Sequence, residues 1–106
     1  MEFKELIKKA KEIQLAYKNL NKNSGIKQWT IAEYAQGFMG DVGDLTKLIM
    51  AKNNYRTIED IDKKLAHELA DCLWSIIIIS GELGIDLEAE FVSTMNELEK
   101  KFKQAT

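Results

Sequence analysis

Four α-helices packed as a bundle are what this chain predicts, and three observations predict them. Its 106 residues include no proline, so nothing in the composition forbids long uninterrupted helices. Apolar residues recur at three- and four-residue spacing in separate stretches, which is the signature of amphipathic helices rather than strands. The gaps between those stretches hold residues that stop and start helices, Gly25, Thr30, Gly84 and Asp86 among them. A chain of this length suits one domain, 1–106, with a modest core. The expected fold is therefore an all-α four-helix bundle, its core completed by oligomerisation.

The first helix is predicted from about Glu2 to Leu20. Phe3, Leu6, Ile7, Ala10, Ile13, Tyr17 and Leu20 form its apolar stripe, and Lys4, Lys8, Lys9, Lys11 and Lys18 fall mostly off it as a solvated face. Asn21 to Gly25 reads as a helix stop, with Gly25 free to take a left-handed turn. Thr30 and Glu33 then form a capping box, and Trp29 and Tyr34 stand where a hydrophobic staple would place them. In the second helix Ile31, Phe38 and Leu45 repeat every seven residues beside Ala35, Val42 and Ile49. Gly37, Gly40 and Gly43 lie inside it, each costing roughly 1 kcal/mol relative to Ala. They leave room either for a neighbouring helix or for a ligand beside the helix, and both readings stay open.

Asn53 to Arg56 connects the second helix to the third, which Thr57 and Asp60 are expected to cap. Ile58, Leu65, Cys72 and Ile79 repeat every seven, with Leu69, Ile76 and Leu83 alongside. From Cys72 to Ile79 the helix is apolar on nearly all sides, so it should be buried on all sides. Four helices would leave one face of it bare, with Ile77 pointing outward, and a partner subunit is the expected cover. Gly84 ends this helix and Asp86 caps the fourth, whose stripe is Leu87, Phe91, Met95, Leu98 and Phe102.

Several function classes are disfavoured. A net charge of −2 gives no electrostatic case for nucleic-acid or membrane-surface binding. The longest apolar run is too short to span a bilayer, and no signal peptide is visible. A single cysteine excludes an intrachain disulfide framework, which fits a reducing cytoplasm. Within its apolar stripe Cys72 reads as a small core residue rather than a nucleophile.

What the stripes do not explain is their acids. Asp41 and Asp44 are three apart on the second helix, as are Glu68 and Asp71 on the third. Residues at that spacing are neighbours on one helix face. Asp41 and Glu68 take the same central row of their stripes, and Asp44 and Asp71 the same edge. An unpaired carboxylate in an apolar setting costs several kcal/mol or shifts its pKa to become neutral. The stripes themselves contain no Lys or Arg, so either a hard divalent cation is the remedy or the acids lie on solvated flanks and the helices pack through other rows. Mg²⁺ and Mn²⁺ prefer carboxylate oxygens. Asp41, Asp44, Glu68 and Asp71 are thus the candidate metal ligands. Trp29, just ahead of the acidic helix, has a structural role in the staple and is also a candidate to stack on a flat ring. His67 is expected at the rim in a structural role, because Mg²⁺ favours oxygen over imidazole.

The stretch Phe38-Met39-Gly40-Asp41-Val42-Gly43-Asp44-Leu45, with Glu68-Leu69-Ala70-Asp71-Cys72-Leu73-Trp74 after it, resembles the all-α nucleoside triphosphate pyrophosphohydrolases of the MazG-like group. The resemblance is strong from about Trp29 to Trp74 and loose in the flanking helices. The family pairs an acidic-x-x-acidic motif on one helix with E-x-x-D on the next. This chain departs from it in having Asp at positions 41 and 44, where Glu is usual, and Gly40 where many members carry a further acid.

The resemblance implies Mg²⁺-dependent hydrolysis of nucleoside triphosphates between the α- and β-phosphates, for clearance of noncanonical or surplus nucleotides. It implies that Asp41, Asp44, Glu68 and Asp71 hold the metal, with Glu68 and Asp71 carrying the catalysis. Lys52 matches a lysine of some relatives and is a candidate phosphate contact, with Lys47 and Arg56 as weaker ones. The expected partners are the nucleotide and a second copy or more, as a homodimer or homotetramer. The alternative is a non-catalytic helical interaction or regulatory module that keeps the fold and a metal site, with Gly40 marking lost activity.

Overall fold

The computed structural model describes residues 1–54 and 57–105. Among them four helices and no strand occur: α1 (Phe3–Asn23), α2 (Ile31–Asn53), α3 (Ile61–Glu82) and α4 (Leu87–Ala105). The all-α expectation holds, and so do most boundaries. Arg56 lies outside the described residues.

The helix ends follow local chemistry. Gly25 and Gly84 both sit at φ +69°, a region that side chains with a Cβ disfavour. Each closes a Schellman motif. At the end of α1, Ile26 N–H reaches the Asn21 carbonyl at 2.8 Å, and at the end of α3, Ile85 N–H reaches the Ser80 carbonyl at 2.9 Å. Asp86 caps α4 as expected, its carboxylate accepting from Ala89 N–H at 3.1 Å. Two start signals behave differently. Thr30 precedes α2, but its hydroxyl donates to the Glu33 carboxylate and makes no cap bond to the backbone. The start of α3 comes later than Thr57 suggests. Asp60 stands before it at φ 55° without a side-chain cap. A polar residue that tolerates the left-handed region reverses the chain there.

The most extensive packing is between α2 and α3, and α1 lies against α3. Ala10, Tyr34, Ile77 and Ile78 form the buried centre, with Phe3, Ile7, Trp74, Ile79 and Leu87 packed around it. Polar bonds tie the three helices together. Trp74 Nε1 donates to the Ala10 carbonyl at 3.1 Å. Gln14 Nε2 donates to Tyr34 Oη at 3.3 Å and to Glu82 Oε1 at 2.7 Å. Ile77 is 4 % exposed, which corrects the expectation that it points outward. The bare side of α3 carries Leu69, Leu73, Ile76 and Leu83 instead. Four isoleucines in a row leave the phase of the helix undetermined, and packing against Ala10 and Tyr34 sets it.

Helix α4 is the loosest member. No residue in it is buried. Leu87 packs on the core, while Phe91, Met95, Leu98 and Phe102 are exposed. The radius of gyration is 17.3 Å, against about 13 Å for a compact domain of 100 residues. No helix among the described residues is long and apolar enough to cross a membrane.

Candidate metal centre and adjoining cavity

The side-by-side packing of α2 on α3 brings the two acidic stretches together. Asp41, Asp44 and Glu68 each offer a carboxylate oxygen, and these oxygens lie within 4.8 Å of one another. No Lys or Arg is bonded to any of them among the described residues. Glu68 Oε2 is buried and has no hydrogen-bond partner. An orphaned buried carboxylate oxygen is expensive, and native proteins rarely leave one without a ligand, ion or water.

The electrostatics agree. Burial, followed by the charges of Asp41, Asp44 and Asp71, pushes the Glu68 carboxyl above its ordinary value. Burial first, then Asp71 and Asp44, does the same for Asp41. His67 opposes both shifts. Two carboxylates that resist ionising beside a third, one of them with an unsatisfied oxygen, fit a small hard dication held by oxygen ligands.

Asp71 stands apart from that trio. Its Oδ2 pairs with His67 Nε2 at 3.1 Å, one helical turn away. It nevertheless stays near enough to raise Asp41 and Glu68. His67 is at the exposed rim, as the sequence suggests. Burial, then the charges of Asp41, Glu68 and Asp71, drive the Cys72 thiol up. Such a thiol stays protonated and unreactive, which matches a core cysteine.

Asp41 and Asp71 also border a cavity of about 610 Å³, whose wall includes Tyr17, Trp29, Tyr34 and Trp74. The rings meet edge to face. Trp29 and Tyr34 centroids are 5.5 Å apart, Tyr34 and Trp74 6.1 Å, and Tyr17 and Trp74 6.0 Å. Trp29 thus serves both as the staple onto Tyr34 and as cavity wall.

The three glycines of α2 now separate. A Cβ on Gly37 would meet the Trp29 ring at 3.2 Å, whereas one on Gly40 or Gly43 would meet nothing within 4 Å. Gly37 admits the indole, while the other two face open space rather than a packed helix.

Tyr17 and Trp74 escaped the sequence reading as cavity residues. Trp74 stands three residues past Asp71, on the same helix face, and that spacing is the signal that points to it. Tyr17 lies on the α1 stripe, where a core role already accounted for it. Lys52 pairs with Asp62, and both are exposed. Neither borders the cavity.

Compared with protein-family models, with curated proteins and with solved structures, the chain matches none.

Proposed function

We propose that this protein is a Mg²⁺-dependent nucleoside triphosphate pyrophosphohydrolase of the MazG-like type, acting in the cytoplasm as a homo-oligomer. It converts nucleoside and deoxynucleoside triphosphates to monophosphate and pyrophosphate and clears surplus or noncanonical nucleotides. One observation carries the reading: the partnerless Glu68 oxygen lies in an acid trio whose member Asp41 also lines an aromatic cavity. A site for a dication thus adjoins a site for a flat ring. Nucleotides with bound Mg²⁺ present both.

Asp41, Asp44 and Glu68 would hold Mg²⁺ or Mn²⁺, with Asp71 at their edge. A bound ion would supply Lewis acidity and screen charge on the phosphates. The chain's own residues do the rest. Trp29, Tyr34, Tyr17 and Trp74 offer apolar faces and edges to the base. Asp71, outside the trio and bonded to His67, would orient the attacking water and take its proton. Glu68 is the ligand whose charge the reaction most depends on. With no Gly-rich loop to cradle a terminal phosphate, attack at the α-phosphorus with pyrophosphate leaving is the favoured course. Stabilising the developing charge is the main catalytic task in phosphoryl transfer.

The test is pyrophosphate release from a panel of nucleotides with Mg²⁺ and Mn²⁺. Monophosphate and pyrophosphate are expected from the first time point, with heavy oxygen from water on the monophosphate. Diphosphate and inorganic phosphate as first products would refute the mechanism. Gly40, which places no carboxylate beside the trio and has nothing within 4 Å of its Cβ position, favours the second reading. There the chain is a helical interaction module that binds a metal without turnover. Metal-dependent stabilisation with no release from any nucleotide would select it.

A further inference from the structure

We propose that two copies of this chain pair their α4 helices in antiparallel fashion, through a seam of Phe91, Met95, Leu98 and Phe102. The inference assigns a surface and an orientation to the proposed homo-oligomer and does not depend on catalysis. Its first support is area. The chain exposes 8411 Å². A folded monomer of 12.1 kDa is expected to expose about 6,000 Å². The surplus of about 2,400 Å² per chain is shared among α4, the bare side of α3 and the end of α1, and it leaves ample room for a standard interface, which takes about 800 Å² from each partner.

The second support is spacing. Phe91, Met95, Leu98, Phe102 and Ala105 follow one another at intervals of four, three, four and three. That is the a/d repeat of a helix that packs against another helix along its whole length. Yet Phe91 is 61 % exposed and Phe102 is 67 % exposed. No other helix of the same chain covers them.

The third support is charge. Asp86, Glu88 and Glu90 make the start of α4 acidic, whereas Lys100, Lys101 and Lys103 outweigh Glu97 and Glu99 at its end, where Lys103 also pairs with Glu99 at 2.9 Å, and leave that end net positive. A parallel pair would set acid on acid and base on base. An antiparallel pair sets each acidic end beside the other copy's basic end, and opposes the helix dipoles as well. With Met95 across from Leu98 of the second copy, Phe91 falls across from Phe102, and the two-fold axis passes between positions 96 and 97.

Sedimentation of the full chain at micromolar concentration is expected to show no dominant monomer. The double variant Phe91→Asp with Leu98→Asp should sediment as a monomer with unchanged helical content, because both positions are already exposed in the single chain. Orientation is read from spin labels placed singly in a Cys72→Ala background. Labels at Ser93 should lie about 15 Å apart across the pair, and labels at Gln104 about 25 Å apart. Short distances at both would mean parallel pairing and overturn the orientation. A monomeric wild type would overturn the dimer itself. Assembly that survives the α4 variant but is lost in Ile76→Asp would move the interface to the bare side of α3 and overturn the seam alone. Turnover by the wild type bears on none of these outcomes.

Discussion

Helices α3 and α4 both carry an apolar stripe at helical spacing, yet they have opposite fates. On α3, Cys72, Ser75, Ile77, Ile78 and Ser80 are buried, against α2 on one side and α1 on another. On α4 nothing is buried. Part of the difference lies in the stripes, since α3 is apolar on nearly all sides from Cys72 to Ile79 and α4 along one seam. The rest lies in what the connections permit. After α3 the chain turns in a Schellman motif and restarts at Leu87, which packs on the core and leaves the rest of α4 beyond it. An apolar stripe shows that a helix has something to cover. It does not say whether the cover comes from the same chain.

The largest expected effect sharpens this contrast. Ile78, at 2 % exposure, is the best-enclosed large side chain. Ile78→Ala should cost about 2–5 kcal/mol, read from the urea midpoint. Phe102→Ala removes a bigger side chain but should change the stability of the unassociated chain by less than about 0.5 kcal/mol. A large loss there, at concentrations where copies do not pair, would mean that α4 is covered from within.

The acidic face of α2 and α3 gives the next effects. Millimolar Mg²⁺ should raise the melting temperature, since a ligand that binds only the folded state stabilises it. Glu68→Gln should stay folded, lose that rise and lose most turnover. An unchanged wild-type melting curve with metal, with or without nucleotide, would remove the site.

Proton linkage follows with a definite sign. Asp41 and Glu68 have folded-state pKa values raised above their ordinary ones. The folded state therefore binds protons more readily than the unfolded state between those values. Without metal, these two groups should make stability fall as pH rises from the ordinary carboxylate range through their raised values. Glu33, whose carboxyl is held low mainly by the Thr30 hydroxyl, acts in the opposite direction. Comparison with Asp41→Asn isolates the acid face, and saturating Mg²⁺ should flatten its contribution. A metal-free Asp41→Asn curve identical to the wild type would show that the carboxylates do not interact.

The smallest effect distinguishes two glycines on one helix. Gly40→Ala meets no obstacle and should stabilise by about 0.5–1 kcal/mol through helix propensity alone. Gly37→Ala gains the same propensity but presses on Trp29 at 3.2 Å. It should gain less or lose, and shift tryptophan fluorescence. Equal gains at both positions would mean that the indole does not rest there.

How much of this could be read from sequence varies residue by residue. The common register of Asp41 and Glu68 was legible, because a seven-residue repeat fixes which rows of two helices can face each other. Asp71 shares that register but pairs with His67. Spacing fixes the face a residue occupies, and a competing partner one turn away decides where its carboxylate goes. The outward side of α3 was illegible for a related reason, since Ile76 and Ile77 are chemically the same and only their neighbours distinguish them. The bareness of α4 was hidden because its stripe looks the same whether covered or not. The cavity was half visible. Trp29 announced itself beside a capping signal, while Tyr17 and Trp74 looked like ordinary core.

Trp74 has one further consequence. Its indole N–H holds the Ala10 carbonyl of α1, and its ring walls the cavity against Tyr17 and Tyr34. The joint that docks α1 and the wall that would meet a ligand are the same side chain. Whatever fills the cavity must therefore stiffen the seating of α1, and fraying of α1 must loosen the cavity. Amide exchange along α1 then serves as a gauge of occupancy. Protection around Ala10 should rise when nucleotide binds, with no contact between that backbone and the ligand.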